Sequence, residues 1–233
     1  MLPLYDDIPS SRRPLVTWAI LALNVAVYVY QVFTGMGQEV WAWQYGLVPH
    51  ELTGGAELTP EWSSSPYLNL FSSLFLHGDF MHLGGNMLYL WIFGDNVEDR
   101  LGHARFAVFY LLSGVAASLF FVWTAPGLDV PLVGASGAIA GVLGAYLVSF
   151  PRARVATLIF FGFFIRVVYI PAVVVLGFWF VIQLLSGLPT VGEGSSTGGV
   201  AFMAHAGGFV AGMLLVWVMA RRKWGQTPII LSC

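Results

Sequence analysis

Residues 134–150 read GASGAIAGVLGAYLVSF, an apolar run with Ser136 at its head and Pro151 just beyond its end. The 15 residues from Ser136 to Phe150 make about 22 Å of helix at 1.5 Å per residue. The hydrocarbon core of a bilayer is about 30 Å thick. With Pro151 at the inner end, Ser136 is expected on the order of 8 Å below the outer surface. It would stand at a helix N-terminus, where unpaired N–H groups and the helix dipole favour negative charge. Acyl transfer needs those electrostatics for its oxyanion. A second apolar run carries His205 in the stretch AHAGG, residues 204–208. A Ser among glycines in a membrane helix is ordinarily a packing residue. An ionisable residue at membrane depth, however, is costly and usually functional. A nucleophile and a base in two apolar runs together point to hydrolysis inside the bilayer, at a site that water reaches from outside.

Composition sets the class. Of 233 residues, 58% are hydrophobic and 9% charged, and the mean hydropathy is +0.77. Soluble domains carry roughly 25% charged residues, so an all-α polytopic membrane protein is expected. A net charge of −2 without basic runs gives no reason to expect nucleic acid as a partner. Cys233 is the only cysteine, which excludes disulfides within the chain and cysteine-based metal sites. The first apolar run lacks a small-residue cleavage site and reads as a retained span instead of a signal peptide.

Apolar runs fall near 15–34, 106–125, 167–186 and 200–220, with shorter ones near 80–94 and 136–150. Six spans with both termini inside put Arg12, Arg13, Arg100, Arg105, Arg152, Arg154, Arg166, Arg221, Arg222 and Lys223 on one face, which accounts for all 10 basic residues. That is the positive-inside pattern. The other face carries Glu39, Glu51, Glu57, Glu61, Asp79, Asp129 and Glu193. The expected organisation is a cytoplasmic segment over 1–14, a six-helix domain over 15–220 with N-in/C-in topology, and a cytoplasmic tail over 221–233. The outer loop from about 35 to 79 holds Trp41, Trp43, Tyr45, Trp62, Tyr67, Phe71 and Phe75, so it is expected to lie partly in the outer leaflet. The inner stretch 152–166 is apolar but bracketed by Arg152, Arg154 and Arg166, which reads as an interfacial hairpin or helix.

Gly137, Gly141 and Gly144 on one run face Gly208 and Gly212 on the other in small-xxx-small spacing, the pattern of closely crossing membrane helices. Such a crossing brings Ser136 within reach of His205 as general base and later general acid. No Asp or Glu lies near either motif, so a dyad without a carboxylate is expected. A third cluster reads HGDFMHLGGN over residues 77–86. His82 and Asn86 share a helical face, and both can donate to an oxyanion alongside the Ser136 N–H. The rival is a metal site, but a separation of five residues turns His77 about 140° from His82 on a helix. No metal is expected.

His82-xxx-Asn86, Gly134-x-Ser136-Gly137 and His205-xx-Gly208-xxx-Gly212, with the stretch from Gly94 through Glu98 to Gly102, resemble the motifs of rhomboid intramembrane serine proteases in order and placement. The resemblance covers 14–220. It implies the six-helix rhomboid fold, Ser136 as nucleophile, His205 as base, and His82, Asn86 and the Ser136 backbone as oxyanion donors. It implies no cofactor, and as partners the bilayer and transmembrane proteins cut near the outer face. A prokaryotic plasma (inner) membrane is the expected location. Two positions depart from the family pattern. Leu68-Asn69 replaces a Trp-Arg pair in the outer loop, and Ala140 stands where an aromatic often stacks on the catalytic His. The rivals are a catalytically inactive relative that binds membrane proteins, which typically lacks the Ser or the His, and a transporter, for which the inner halves of the spans offer no polar path. The fifth span, bulky with Phe178, Trp179 and Phe180, and the glycine-rich loop 186–199 are expected to form a gate.

Overall fold

The computed structural model describes residues 2–54, 64–161, 164–188 and 199–220. The expected tail over 221–233 lies outside them, as do most of the gate loop (189–198) and residues 55–63 of the outer loop with Glu57, Glu61 and Trp62. The chain opens with strand β1 (Leu2–Asp6) and helix α1 (Leu15–Phe33). The outer loop holds α2 (Gln38–Tyr45), α3 (Pro49–Leu52), α4 (Pro66–Ser72) and a 3-10 turn, Ser73–Phe75. Then come α5 (Phe80–Leu101), α6 (His103–Thr124) and α7 (Ser136–Ser149). A hairpin of β2 (Arg154–Phe161) and β3 (Phe164–Pro171) leads into α8 (Ala172–Gly187) and α9 (Gly199–Met219).

Helix α7 is the axis of the fold. Every residue from Gly137 to Tyr146 is buried, packed among α5, α6 and α9. Helix α1 shows the opposite pattern. Its buried residues are Thr17, Ile20, Asn24 and Gln31, while Trp18, Leu23, Val25, Val32 and Phe33 are exposed. A polar inner face under an apolar outer one suits a helix solvated by lipid. Among the described residues Leu15–Phe33, His103–Thr124 and Phe202–Met219 are long and apolar enough to cross a membrane, and α7 and α8 are shorter apolar helices. Helix α5 ends in a charged stretch containing Asp95, Glu98, Asp99 and Arg100.

Glu98 explains why that charge is tolerated. Its carboxylate is buried and accepts from the backbone N–H of Val16 (2.9 Å) and Thr17 (2.7 Å), from the Thr17 hydroxyl (2.7 Å), and contacts His103 Nδ1 at 2.5 Å. Helix α1 has no side-chain cap of its own, so Glu98 caps it from another helix and complements its dipole. Gly102, with φ of 83°, makes the turn from α5 into α6.

The expectation of an all-α protein needs correction. β1, β2 and β3 form an antiparallel sheet in that order, with Leu2 opposite Leu158, Asp6 opposite Val155, and Arg154 opposite Pro171. The stretch expected as hairpin or helix is a hairpin, and it runs on to Pro171, so the fifth apolar helix starts at Ala172 and not near 167. The physical reason is the Val, Ile and Thr content of both arms, which suits extended backbone, together with a third strand from the chain's opening residues. Asp6 closes the arrangement. Its carboxylate accepts from Tyr146 Oη near the C-terminal end of α7 and from Asn96 Nδ2 at 2.8 Å. Burial pushes the Asp6 carboxyl up from 3.8 to about 6.

Candidate catalytic site

The turn before α7 is pinned from two sides. Leu47 and Leu132 exchange backbone hydrogen bonds (3.0 and 2.8 Å), and the Gly134 N–H donates to the Ser73 carbonyl at 2.8 Å. Gly134 takes a φ of 128°, open in practice only to glycine. A side chain there would also collide with another group of the site. A Cβ on Gly134 would lie 2.8 Å from both Cε1 and Nε2 of His82, and 3.5 Å from Ser136 Oγ. The His82 ring and the Ser136 hydroxyl therefore both border the space over Gly134. Ser136 is the first residue of α7, and the Ile139 N–H is the first to find a helical acceptor, Ala135 O at 3.0 Å. The N–H groups of Ser136, Gly137 and Ala138 have no acceptor within the helix.

Across from Ser136 runs α9. A Cβ on Gly208 would strike the Gly137 carbonyl, one on Gly212 the Gly141 carbonyl, and one on Gly144 the Phe209 carbonyl. The two backbones are in contact along about two turns, as the spacing of small residues led one to expect. His205 sits one turn before Gly208, and His82 lies near enough to act on it electrostatically. Ser136, His82 and His205 thus gather at one end of the α7–α9 crossing. His205 Nε2 is buried and hydrogen-bonded to no group among the described residues, so no Ser136–His205 bond is formed here. Catalytic hydrogen bonds are often long in unliganded enzymes and tighten only around substrate.

Asn86 lies one turn below His82 on α5, buried, with Nδ2 making no hydrogen bond among the described residues. Helix α5 is started by Asp79, whose Oδ1 accepts from the His82 N–H at 2.8 Å. That start corrects the expectation for His77. The residue precedes the helix, so the helical angle of 140° does not apply, and its ring packs edge-on against His82 at 5.1 Å. Gln31 of α1 clamps the His77 backbone, accepting from its N–H at 3.2 Å and donating to its carbonyl at 3.4 Å. Burial, with His82 beside it, lowers His77 to about 4, so the ring is neutral near pH 7.

At the two departures noted in the sequence, other side chains make the local contacts. Asn69 is buried and its amide contacts Ser64 Oγ at 2.5 Å. Ser72 and Ser64 in turn donate to the carbonyls of Tyr45 (2.7 Å) and Gln44 (2.8 Å), so side-chain hydrogen bonds anchor the outer loop. Ala140 leaves no aromatic on α7 for His205, but Trp179 of α8 supplies one, its ring 5.9 Å away and tilted by 36°. Sequence reasoning missed Gln183. Its Oε1 lies 2.7 Å from His205 Nδ1. The signal was a lone amide in an otherwise apolar helix, passed over because the search for a His partner looked only for carboxylates.

Taken together, these features define an integral membrane protein that carries a serine, two histidines and an asparagine on neighbouring apolar helices. The Rhomboid domain model matches residues 64–222. The chain belongs to the rhomboid family. It is 30% identical to Rhomboid protein 1, mitochondrial, of Saccharomyces cerevisiae over 94% of its own length and 58% of that protein's. It is 30% identical to Rhomboid-like protein 11, chloroplastic, of Arabidopsis thaliana, over 91% of this chain and 68% of that one. It is 34% identical to the Putative rhomboid protease YdcA of Bacillus subtilis, over 58% of this chain and 61% of that one. These relatives belong to a mitochondrion, a chloroplast and a bacterium, and they lend the expected prokaryotic plasma membrane no support.

Proposed function

We propose that the chain is an intramembrane serine endopeptidase that cuts transmembrane segments of membrane proteins near the outer face. The observation that carries this reading is that the Ser136 hydroxyl and the His82 ring both border the space over Gly134, beside an α7–α9 backbone contact one turn from His205. Ser136 Oγ attacks the scissile carbonyl while His205 Nε2 takes its proton. The oxyanion is held by the His82 ring N–H, the Asn86 amide and the Ser136 backbone N–H. His205 then returns the proton to the leaving amine. Water repeats the sequence on the acyl-enzyme, with the same base. The reading keeps six spanning helices with both termini inside, a 15–220 domain and flanking inner segments at 1–14 and 221–233. It needs no cofactor.

The test is cleavage of a single-span substrate by purified protein in liposomes. Ser136→Ala is expected to abolish cleavage with the fold intact. His205→Ala and the double variant should be no worse, because members of a cooperating pair are not additive. Unchanged cleavage by a folded Ser136→Ala protein contradicts the assignment. Wild-type protein that binds such segments without cutting them supports an inactive binder instead.

A further inference from the structure

Gln183 is the only amide or ionisable side chain between Ala172 and Leu185. It is 7% exposed. An amide buried among apolar groups is costly unless hydrogen-bonded, and this one meets His205 Nδ1 at 2.7 Å. Trp179 stands one helical turn earlier on α8, so the same face that reaches the Nδ1 edge of the imidazole also covers its ring. Phe202 closes a further side, edge-on at 6.4 Å. The two ring nitrogens are therefore in different situations. Nδ1 faces the Gln183 carbonyl oxygen, and Nε2 is buried and bound to nothing among the described residues. A neutral imidazole carries one N–H. With that proton on Nδ1, donated to Gln183 Oε1, the lone pair lies on Nε2. With the amide reversed, its NH2 would donate to Nδ1 and the proton would sit on Nε2, which then could not accept one from Ser136.

We infer that Gln183 is a positioning residue that holds His205 in the Nδ1–H tautomer and fixes its ring orientation, so that Nε2 is presented to Ser136 as the base. This rests on the protease reading above. The role is the one a buried carboxylate fills in soluble Ser–His–Asp sites. At membrane depth a carboxylate would carry a large desolvation cost. A neutral amide oxygen supplies the acceptor without the charge.

The decisive measurement needs no substrate. In full-length protein labelled with 15N-histidine, His205 is expected to show a protonated Nδ1 and a bare Nε2, with Gln183→Leu shifting it toward the Nε2–H form. In liposomes, Gln183→Leu is expected to lower kcat about 10- to 100-fold, the range known for the orienting partners of metal-bound histidines, with KM within about twofold. Gln183→Glu, which keeps an acceptor, should restore most of kcat. A wild-type His205 protonated on Nε2 overturns the proposal, as does a folded Gln183→Leu protein with unchanged tautomer and kcat. Failure of the protease reading looks different, because wild-type protein would then not cleave whatever the tautomer.

Discussion

Helix α9 is held in two different ways on its two sides. Against α7 the contact is backbone on backbone, through Gly137, Gly141, Gly144, Gly208 and Gly212. Against α8 it is side chain on ring, through Trp179 and Phe180, which pack on His205 and Phe209. The first contact leaves no room for adjustment, since adding even one methyl requires carbonyls to move. The second is made by side chains that have other rotamers, and α8 makes little contact with α7. Ser136 and His205, the proposed nucleophile and base, thus lie on the closely packed pair, while Trp179 and Gln183, which contact His205, come from α8. On the proposed reading, glycines set the separation of α7 and α9, and α8 sets the direction of His205 Nε2.

The largest effect is expected where the stiff contact is broken. Gly212→Leu drives a side chain into the Gly141 backbone, beyond the ~1–3 kcal/mol of ordinary core overpacking. It should abolish both activity and cooperative thermal unfolding, whereas Gly177→Leu on α8, where a Cβ meets nothing within 4 Å, should leave both near wild type. A similar loss from both substitutions would erase the distinction. Next comes the looser side. If α8 moves to admit substrate, a disulfide between cysteines placed on the first turn of α5 and the last turn of α8, in a Cys233→Ser background, should block cleavage of membrane substrates until reduced. Equal rates before and after reduction would mean that entry takes another route. A smaller effect is expected at Trp179. An aromatic contact contributes about 0.5–1.5 kcal/mol beyond its burial, so Trp179→Ala should lower kcat by up to about 10-fold and alter stability little. A severe stability loss would show that α8 is part of the rigid core.

How much of this could be read in advance follows from what each feature depends on. Ser136, His82, Asn86 and the crossing glycines were legible because residue type and spacing alone specify them. Gln183 was not, since nothing local distinguishes an amide aimed at a histidine from one facing a neighbouring helix. The sheet was half legible. Residues 152–166 suggested a hairpin, but the partner that stabilises it, Leu2–Asp6, comes from the far end of the chain. The relation of His77 to His82 was misread because the helix begins at Phe80, and the rings meet across its N-terminus.

The smallest effect concerns the C-terminal end of α7. Asp6 has a folded-state value of about 6 against 3.8 ordinarily, so between those pH values the folded protein binds the proton more readily than the unfolded chain. Its contribution therefore favours folding at low pH and is lost as pH rises through about 6. Melting curves of wild type and Asp6→Asn between pH 4 and pH 7 should differ in slope by a few degrees, with the variant gaining relative to wild type as pH rises. Parallel curves would show that burial at this position does not discriminate between the two forms of the carboxyl.

The central claim is that Ser136 is a nucleophile activated by His205. Fluorophosphonate treatment of the purified protein, with the adduct located by peptide mass spectrometry, tests this without any choice of substrate. The expected result is a single adduct on Ser136 that forms at least 100-fold more slowly in His205→Ala, as the loss of a general base predicts. An unmodified Ser136, or one labelled equally fast without His205, would contradict it.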